Sequence, residues 1–164
     1  MAQRKDPFTS SEYYFRTDST IAVAGHPIHA MAVAFPIALS FGALGGDLFY
    51  WWTGDPFWAR LSLWSSGFAF FMGVLAGFTG MGEMAFGPGL RRRIAVWTHF
   101  IAAMVCLSVY GANWGIRYAA PDPAAAVLPW GLLLSILSAI LTGLTGWHGG
   151  KLVFEHQIGV NSDN

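Results

Sequence analysis

The five histidines of this chain are the residues whose spacing most suggests chemistry. His26 and His29 stand three positions apart at the entrance to the first long apolar run. His99 lies inside a later apolar run, and His148 and His156 stand at the end of the last one. Imidazole titrates near neutral pH and is the commonest metal ligand in proteins. If the fold brings these rings together, they predict a cofactor, metal or proton-handling site.

The composition indicates that a lipid bilayer surrounds most of the chain. Of its 164 residues, 54% are hydrophobic and only 11% are charged, whereas about a quarter of an average soluble domain is charged. The net charge is zero, so no basic surface points to nucleic acid. Cys106 is the single cysteine, which excludes an internal disulfide and a cysteine-based metal motif.

Four apolar stretches reach the length of about 20 residues that a helix needs to cross a bilayer. They run from about Ile28 to Trp52, Leu61 to Gly82, Ile94 to Ile116, and Ala124 to Trp147, with the last pattern continuing through "HGGKLVFEH". Helices satisfy every backbone polar group within the segment, as a lipid environment requires. Pro36, inside the first stretch, predicts a kink there.

Short connections between these stretches predict an all-α, up-down-up-down four-helix bundle. By the positive-inside rule, the arginine-rich middle loop and both termini are expected in the cytoplasm. Seven of the nine basic residues then lie inside: Arg4, Lys5, Arg16, Arg91, Arg92, Arg93 and Lys151. The expected organisation is a polar N-terminal segment (1–20), a transmembrane domain (21–156) and a C-terminal tail (157–164).

This topology places all five histidines at the cytoplasmic face, where Glu83 ends the second helix. His29, His99 and His148 come from three helices at similar depth. Two histidines facing each other across a helical bundle are the axial ligands that a b-type haem needs. We therefore expect haem b, held by two of these three residues. Basic residues at the same face would pair with its propionates: Arg91, Arg92, Arg93 and Lys151.

Three alternatives use the same residues differently. A transition-metal ion would take its ligands from His26, His29, Glu83, His99 and His148. A proton-handling protein would use the titration of the imidazoles. A cofactor-free structural or accessory subunit of a larger membrane complex would use the histidines only as hydrogen-bonding groups, and its glycine-lined faces for close helix packing. The sequence contains no nucleophile–base constellation, so an electron-transfer or accessory subunit is favoured over an enzyme.

Asp47 marks a second polar site near the outer end of the first helix. An acidic residue within a membrane span is either functional or paired. It would serve as a proton or cation site, or form an ion pair with Arg60 or Arg117. Asn113 stands one turn before Arg117 on the third helix and would belong to the same outer polar patch.

Several dispersed motifs resemble a bacterial family of four-helix membrane proteins catalogued as domain of unknown function 2231. They are "GHPIHAMAVAFPIAL", "GGDLFYW", "WTHF" and "GWHGGKLVFEHQIGV", and the likeness runs from about Gly25 to Val160. The positions that match the family's pattern are His26, Pro27, His29, Asp47, Gly149, Gly150, Leu152, Val153, Gly159 and Val160. The family often has Asp where Glu83 stands. Some relatives are fused to Rieske-type iron–sulfur domains, so the resemblance implies redox company. A haem-binding subunit would exchange electrons with quinone or a redox protein.

Overall fold

The computed structural model describes residues 17–160, and most of that range is helical. A two-residue strand, β1 (Ala22–Val23), pairs antiparallel with β2 (His26–Pro27). Ala24 and Gly25 form the turn between them, with φ values of 50° and 78°. This small hairpin leads directly into the first helix.

The first apolar segment forms two helices, α1 (Ile28–Ala32) and α2 (Ala34–Thr53). Pro36 explains why the helix is interrupted at Val33. Proline lacks a backbone N–H, and its ring collides with the carbonyl four residues earlier, which here belongs to Ala32. The kink predicted from Pro36 therefore falls one turn before the proline itself. Helix α2 ends at Gly54, whose φ of 69° provides a left-handed cap.

Helix α3 (Pro56–Phe86) starts at a well-defined cap. The Asp55 side chain accepts a hydrogen bond from the Phe57 amide, and proline occupies the first turn, where its missing N–H costs nothing. A short 3₁₀ turn (Leu90–Arg92) then leads to α4 (Ile94–Ala119).

The last segment begins irregularly. A 3₁₀ turn (Pro123–Ala126) and a wide turn (Val127–Gly131) precede α5 (Leu132–Phe154). Predicted features at positions 1–16 and 161–164 lie outside the described residues, among them the basic residues Arg4, Lys5 and Arg16.

Within residues 17–160, four helical segments are long and apolar enough to cross a membrane. They are Ile28–Thr53, Pro56–Phe86, Ile94–Ala119 and Pro123–Phe154, and they contain 26 to 32 residues. At the helical rise they measure about 39–48 Å, longer than the roughly 30 Å hydrocarbon core. The four predicted spans are therefore present as helices, each longer than the hydrocarbon core.

These helices bury small and polar side chains and expose large apolar ones, which is the reverse of the arrangement in a soluble protein. Helices α2 and α4 each pack against both α3 and α5, and alanines fill the close contacts, including Ala43, Ala59, Ala69 and Ala76. Large apolar side chains such as Trp52 face outward. The buried polar side chains include Ser40, Asp47, Ser62, Asn113, Arg117 and Ser135. Helices packed in lipid favour small contact residues and turn their polar groups inward.

Candidate functional site

His29 lies in the first turn of α1 and reaches across to α3. Its Nδ1 is 2.8 Å from the backbone carbonyl oxygen of Ala76. A carbonyl oxygen only accepts hydrogen bonds, so Nδ1 carries the proton and donates. In the neutral ring, Nε2 is then the unprotonated nitrogen and has a free lone pair.

His99 repeats this arrangement on the opposite pair of helices. It lies in the second turn of α4, and its Nδ1 is 3.2 Å from the carbonyl oxygen of Thr145 on α5. Its Nε2 is likewise the nitrogen with a free lone pair. A backbone carbonyl that fixes the Nδ1 proton is the usual second-shell partner of a histidine ligand.

The two rings lie next to each other in an edge-to-face arrangement, and both are partly buried. Their centroids are 6.4 Å apart and their planes cross at 78°. Glycines make room for both rings: a Cβ on Gly80 would lie 2.8 Å from His29 Cε1, and one on Gly149 would lie 3.0 Å from His99 Cε1. The pair therefore occupies a cradle that any larger residue at these positions would fill.

This cradle yields a prediction about the two glycines. Gly80→Ala and Gly149→Ala should each lower the free energy of unfolding by about 1–3 kcal/mol, because the added methyl overpacks an imidazole. Gly143→Ala is the matched control, since nothing lies within 4 Å of its Cβ position. That control should be neutral or gain up to about 1 kcal/mol of helix propensity. Thermal unfolding in detergent measures all three, and equal stabilities would contradict the cradle.

The other predicted histidines are less central. His148, on α5, lies within electrostatic range of His99. His26 is exposed, and its Nδ1 lies 2.8 Å from the carbonyl oxygen of Ala24 in the hairpin. His156 follows the end of α5. The structure thus brings His29 and His99 together, with His148 nearby, and leaves His26 outside the pair.

Glu83 takes a different set of partners from those predicted. Its carboxylate accepts hydrogen bonds from the Ser19 hydroxyl, from the Thr20 amide and hydroxyl at 2.9 Å each, and from the Ile21 amide at 3.0 Å. It therefore anchors the segment before the hairpin to the end of α3. Among residues 17–160, no three His, Cys, Asp or Glu side chains are grouped to hold a metal ion, and the five-residue metal set stays a prediction.

Removing this anchor should loosen residues 19–21, which it ties to the end of α3. Glu83→Ala abolishes four hydrogen bonds to one carboxylate, and bonds to charged groups contribute about 1.5–3 kcal/mol each. We expect the backbone amides of Thr20 and Ile21 to exchange hydrogen with solvent several-fold faster in this variant. Glu155→Ala, which removes an exposed carboxylate at the end of α5, should leave their exchange rates unchanged. Mass spectrometry of timed hydrogen exchange measures the rates, and equal rates in both variants would contradict the anchoring role.

Arg93 provides positive charge close to the histidine pair. Its Nη2 donates to the Thr17 hydroxyl at 3.0 Å, whereas its Nη1 is buried without a hydrogen-bond partner among the described residues. Partial burial lowers the pKa of Arg93 from its usual range, yet a guanidinium stays protonated at neutral pH. Arg93 stands six residues before His99, about 9 Å along the helix axis. It therefore presents an unused donor to an anionic group at this end of the bundle.

The second polar site pairs Asp47 with Arg117. Two parallel hydrogen bonds join them, from Nη1 to Oδ1 at 2.8 Å and from Nη2 to Oδ2 at 2.6 Å. Both side chains have 0% exposure. This fork geometry is the strongest form of a charged hydrogen bond. Arg60 takes no part in it.

Neutral side chains complete the pair's hydrogen bonding. Arg117 Nε donates to Asn113 Oδ1 at 2.9 Å, and the Ser135 hydroxyl donates to Asp47 at 2.6 Å. Asn113 in turn donates to Ser135 at 3.1 Å. The ion-pair network, defined as Asp47, Asn113, Arg117 and Ser135, connects α2, α4 and α5. A buried charge pair is tolerable in lipid only when its remaining donors and acceptors are satisfied in this way.

A third polar group, which was not predicted, surrounds Thr142 on α5. The Tyr110 hydroxyl lies 2.5 Å from Thr142 Oγ1, and the Ser40 hydroxyl lies 3.2 Å from it. Cys106 Sγ lies 3.9 Å away. We refer to these four residues as the hydroxyl cluster. Small polar residues at helical spacing, such as Ser135, Ser138 and Thr142, are the sequence signal that would have found it.

Together these features define an integral membrane helical protein with a histidine pair near one end of its helices and a buried ion pair toward the other. The chain belongs to the family of predicted membrane proteins called DUF2231, whose model matches residues 25–162. The resemblance stated from the sequence is thereby confirmed. No curated protein and no solved structure matched the chain.

Proposed function

We propose that this protein binds one b-type haem between His29 and His99 and transfers electrons within the bacterial inner membrane. In this proposal the bundle runs up-down-up-down with both termini in the cytoplasm, so the haem lies near the cytoplasmic face. One observation carries the proposal. Two imidazoles from different helices lie next to each other, with 6.4 Å between centroids, each with Nδ1 bonded to a carbonyl.

The number of ligands favours haem over a bare metal ion. A structural or catalytic zinc site takes three or four protein ligands, and no group of three is present among the described residues. A haem would need only two ligands from the chain, and His29 and His99, whose ring centroids are 6.4 Å apart, would provide them.

The charges nearby also suit this cofactor. Haem carries two propionates, and Arg93 has a buried, unpartnered Nη1 at the same end of the bundle. Arg91 and Arg92 stand in the adjoining turn. A guanidinium binds a carboxylate with two parallel hydrogen bonds. These residues are the partners we propose for the propionates.

When bound, haem supplies one-electron redox chemistry. The chain's own residues set the conditions for it. The carbonyls of Ala76 and Thr145 hold the proton on Nδ1 of each histidine, which leaves Nε2 with the free lone pair and raises its basicity. A quinone in the bilayer or a redox protein at the membrane surface would exchange electrons with this site.

A visible spectrum tests the proposal. The protein is purified in detergent from cells with an adequate haem supply, with a known b-type cytochrome expressed in parallel as the control. A b-type α-band in the reduced-minus-oxidised spectrum, at about one haem per chain, is the expected result. A colourless protein from cells that load the control cytochrome would contradict haem binding and favour an accessory subunit without a cofactor.

A further inference from the structure

Between the ion-pair network and the hydroxyl cluster lies a small cavity. Its volume is about 10 Å³, which is the size at which a cavity admits a single water molecule. Ala43 and Ala69 form part of its lining, and five residues with polar side chains form the rest: Ser40, Ser66, Tyr110, Asn113 and Ser138. A cavity of this size holds a water molecule when two to four polar groups are there to bind it.

Ser138 gives independent evidence for an occupant. Its side chain is 3% exposed, lines the cavity, and its Oγ has no hydrogen-bond partner among the described residues. A buried hydroxyl without a partner costs about 1–3 kcal/mol. Such a group is therefore expected to bind something that donates or accepts a hydrogen bond.

Other groups around the cavity retain unused hydrogen-bonding capacity. Asn113 uses one amide N–H on Ser135 and has a second to donate. The Ser66 hydroxyl donates to the Leu63 carbonyl at 3.0 Å, which leaves its oxygen free to accept. An internal water needs two to four such partners, and the cavity provides them together with Ser138.

We propose that this cavity is a binding site for one water molecule, and that this water joins the ion-pair network and the hydroxyl cluster into one hydrogen-bonded chain. Ser138 stands three residues after Ser135 and four before Thr142, so all three lie on the same face of α5. Without the water, the two groups are separated at Ser138. With it, the chain extends from Asp47 through the cavity to Thr142, about 10 Å along α5.

The joined chain would couple the ion-pair network to the hydroxyl cluster in the interior of the bundle. Hydrogen bonds in series polarise one another in a low-dielectric interior, and a fully satisfied polar network specifies one arrangement of the helices. The water therefore fixes the relative position of α2, α3, α4 and α5 at mid-membrane. The inference depends on the cavity and on Ser138, so it does not require that the protein bind haem.

Solid-state NMR of the isotope-labelled, full-length protein in lipid vesicles tests this site. Magnetisation transferred from water is recorded at Ser138 and at Ser108. Ser108 is the matched reference, because it lies on α4 between Cys106 and Tyr110 and is exposed. Its hydroxyl donates to the Met104 carbonyl of the same helix. We expect transfer at Ser138 at least threefold above that at Ser108. Equal transfer at the two serines would overturn the proposal.

A pair of variants identifies what holds the water. In Ser138→Ala, transfer to Ser66 should fall at least twofold, because the water loses a partner. Ser108→Ala should leave that transfer unchanged. Full transfer to Ser66 in Ser138→Ala would contradict the bridging role of Ser138. The thermal unfolding temperature of each variant establishes that the fold is intact.

Discussion

Arg117→Met will lower the free energy of unfolding by about 3–5 kcal/mol, because it leaves the Asp47 carboxylate charged, buried and without its partner. In the native protein that carboxylate accepts two hydrogen bonds from Arg117 at 2.8 and 2.6 Å. Only the Ser135 hydroxyl would still donate to it. Neither lipid nor water can replace the lost donors at a position with 0% exposure.

The chain contains its own reporter for this measurement. Cys106 is the single cysteine and is 6% exposed, so a thiol-reactive fluorescent dye labels it only when the bundle opens. The unfolding temperature then gives the effect of each substitution. Arg60→Met is the matched control, since Arg60 is exposed; surface changes of this kind stay within about 0.5 kcal/mol.

A double variant separates lost charge pairing from lost packing. Asp47→Leu combined with Arg117→Met replaces the ion pair with apolar side chains. Such replacements are often neutral or stabilising in protein interiors, so most of the stability lost in Arg117→Met should return. If Arg117→Met is no less stable than Arg60→Met, the ion pair does not hold the helices together. If the double variant is as unstable as the single one, packing explains the loss.

The membrane spans were predictable because their signal is local. Length and apolar composition alone place four helices, and the structure extends the second from the predicted Leu61–Gly82 to Pro56–Phe86. The additional residues include Arg60 and Glu83, two charged residues that limit an apolar stretch chosen by hydropathy. Asp55 and Pro56 carry the start signal for that helix, since an acceptor followed by proline is a preferred helix entry.

The histidine pair was predictable only in part. Positive-inside topology and helix rise place His29, His99 and His148 at one level of the bundle. Which two of them meet depends on the rotation of each helix about its axis, and a few residues of uncertainty in a helix end change that rotation. The glycines opposite the rings, Gly80 and Gly149, carried the missing information, because a ring needs a residue without a side chain across from it.

The role of Glu83 could not be deduced from its place on a helix. It stands at the level of the histidines, which suggested a metal ligand. Three consecutive residues, Ser19 to Ile21, take up its acceptor capacity instead. That contact joins positions more than 60 residues apart, and no local pattern in the sequence encodes such a pairing.

The polar interior has a periodic signal that is easy to overlook. Ser135, Ser138 and Thr142 recur at helical spacing along one face of α5, as Ser62 and Ser66 do on α3. In a soluble protein such a stripe would indicate the surface. In lipid the same stripe indicates the interior, because the surrounding solvent is apolar. Which face of a helix is buried can therefore be inferred from its polar residues only after the membrane has been recognised.

Single substitution of either paired histidine should abolish the haem chromophore. If His29 and His99 hold the haem as proposed, each of His29→Ala and His99→Ala removes one of its two ligands from the chain. We expect at least a tenfold loss of haem per chain in each variant, in line with the 10–100-fold cost of disturbing even the outer partners of metal ligands. His26→Ala is the matched control, because His26 is an exposed histidine in the hairpin and should retain the full spectrum.

The same series distinguishes ligation from a general loss of structure. The Cys106 dye measures whether each variant remains folded, and imidazole added to a folded His99→Gly variant should restore part of the α-band by entering the vacated space. His148→Ala should keep a six-coordinate spectrum, since the pairing observed is between His29 and His99. Loss of the chromophore in His148→Ala but not in His29→Ala would assign the second ligand to His148. If His29→Ala, His99→Ala and His148→Ala all keep the chromophore, the haem lies elsewhere. The proposed electron-transfer site then loses its physical basis.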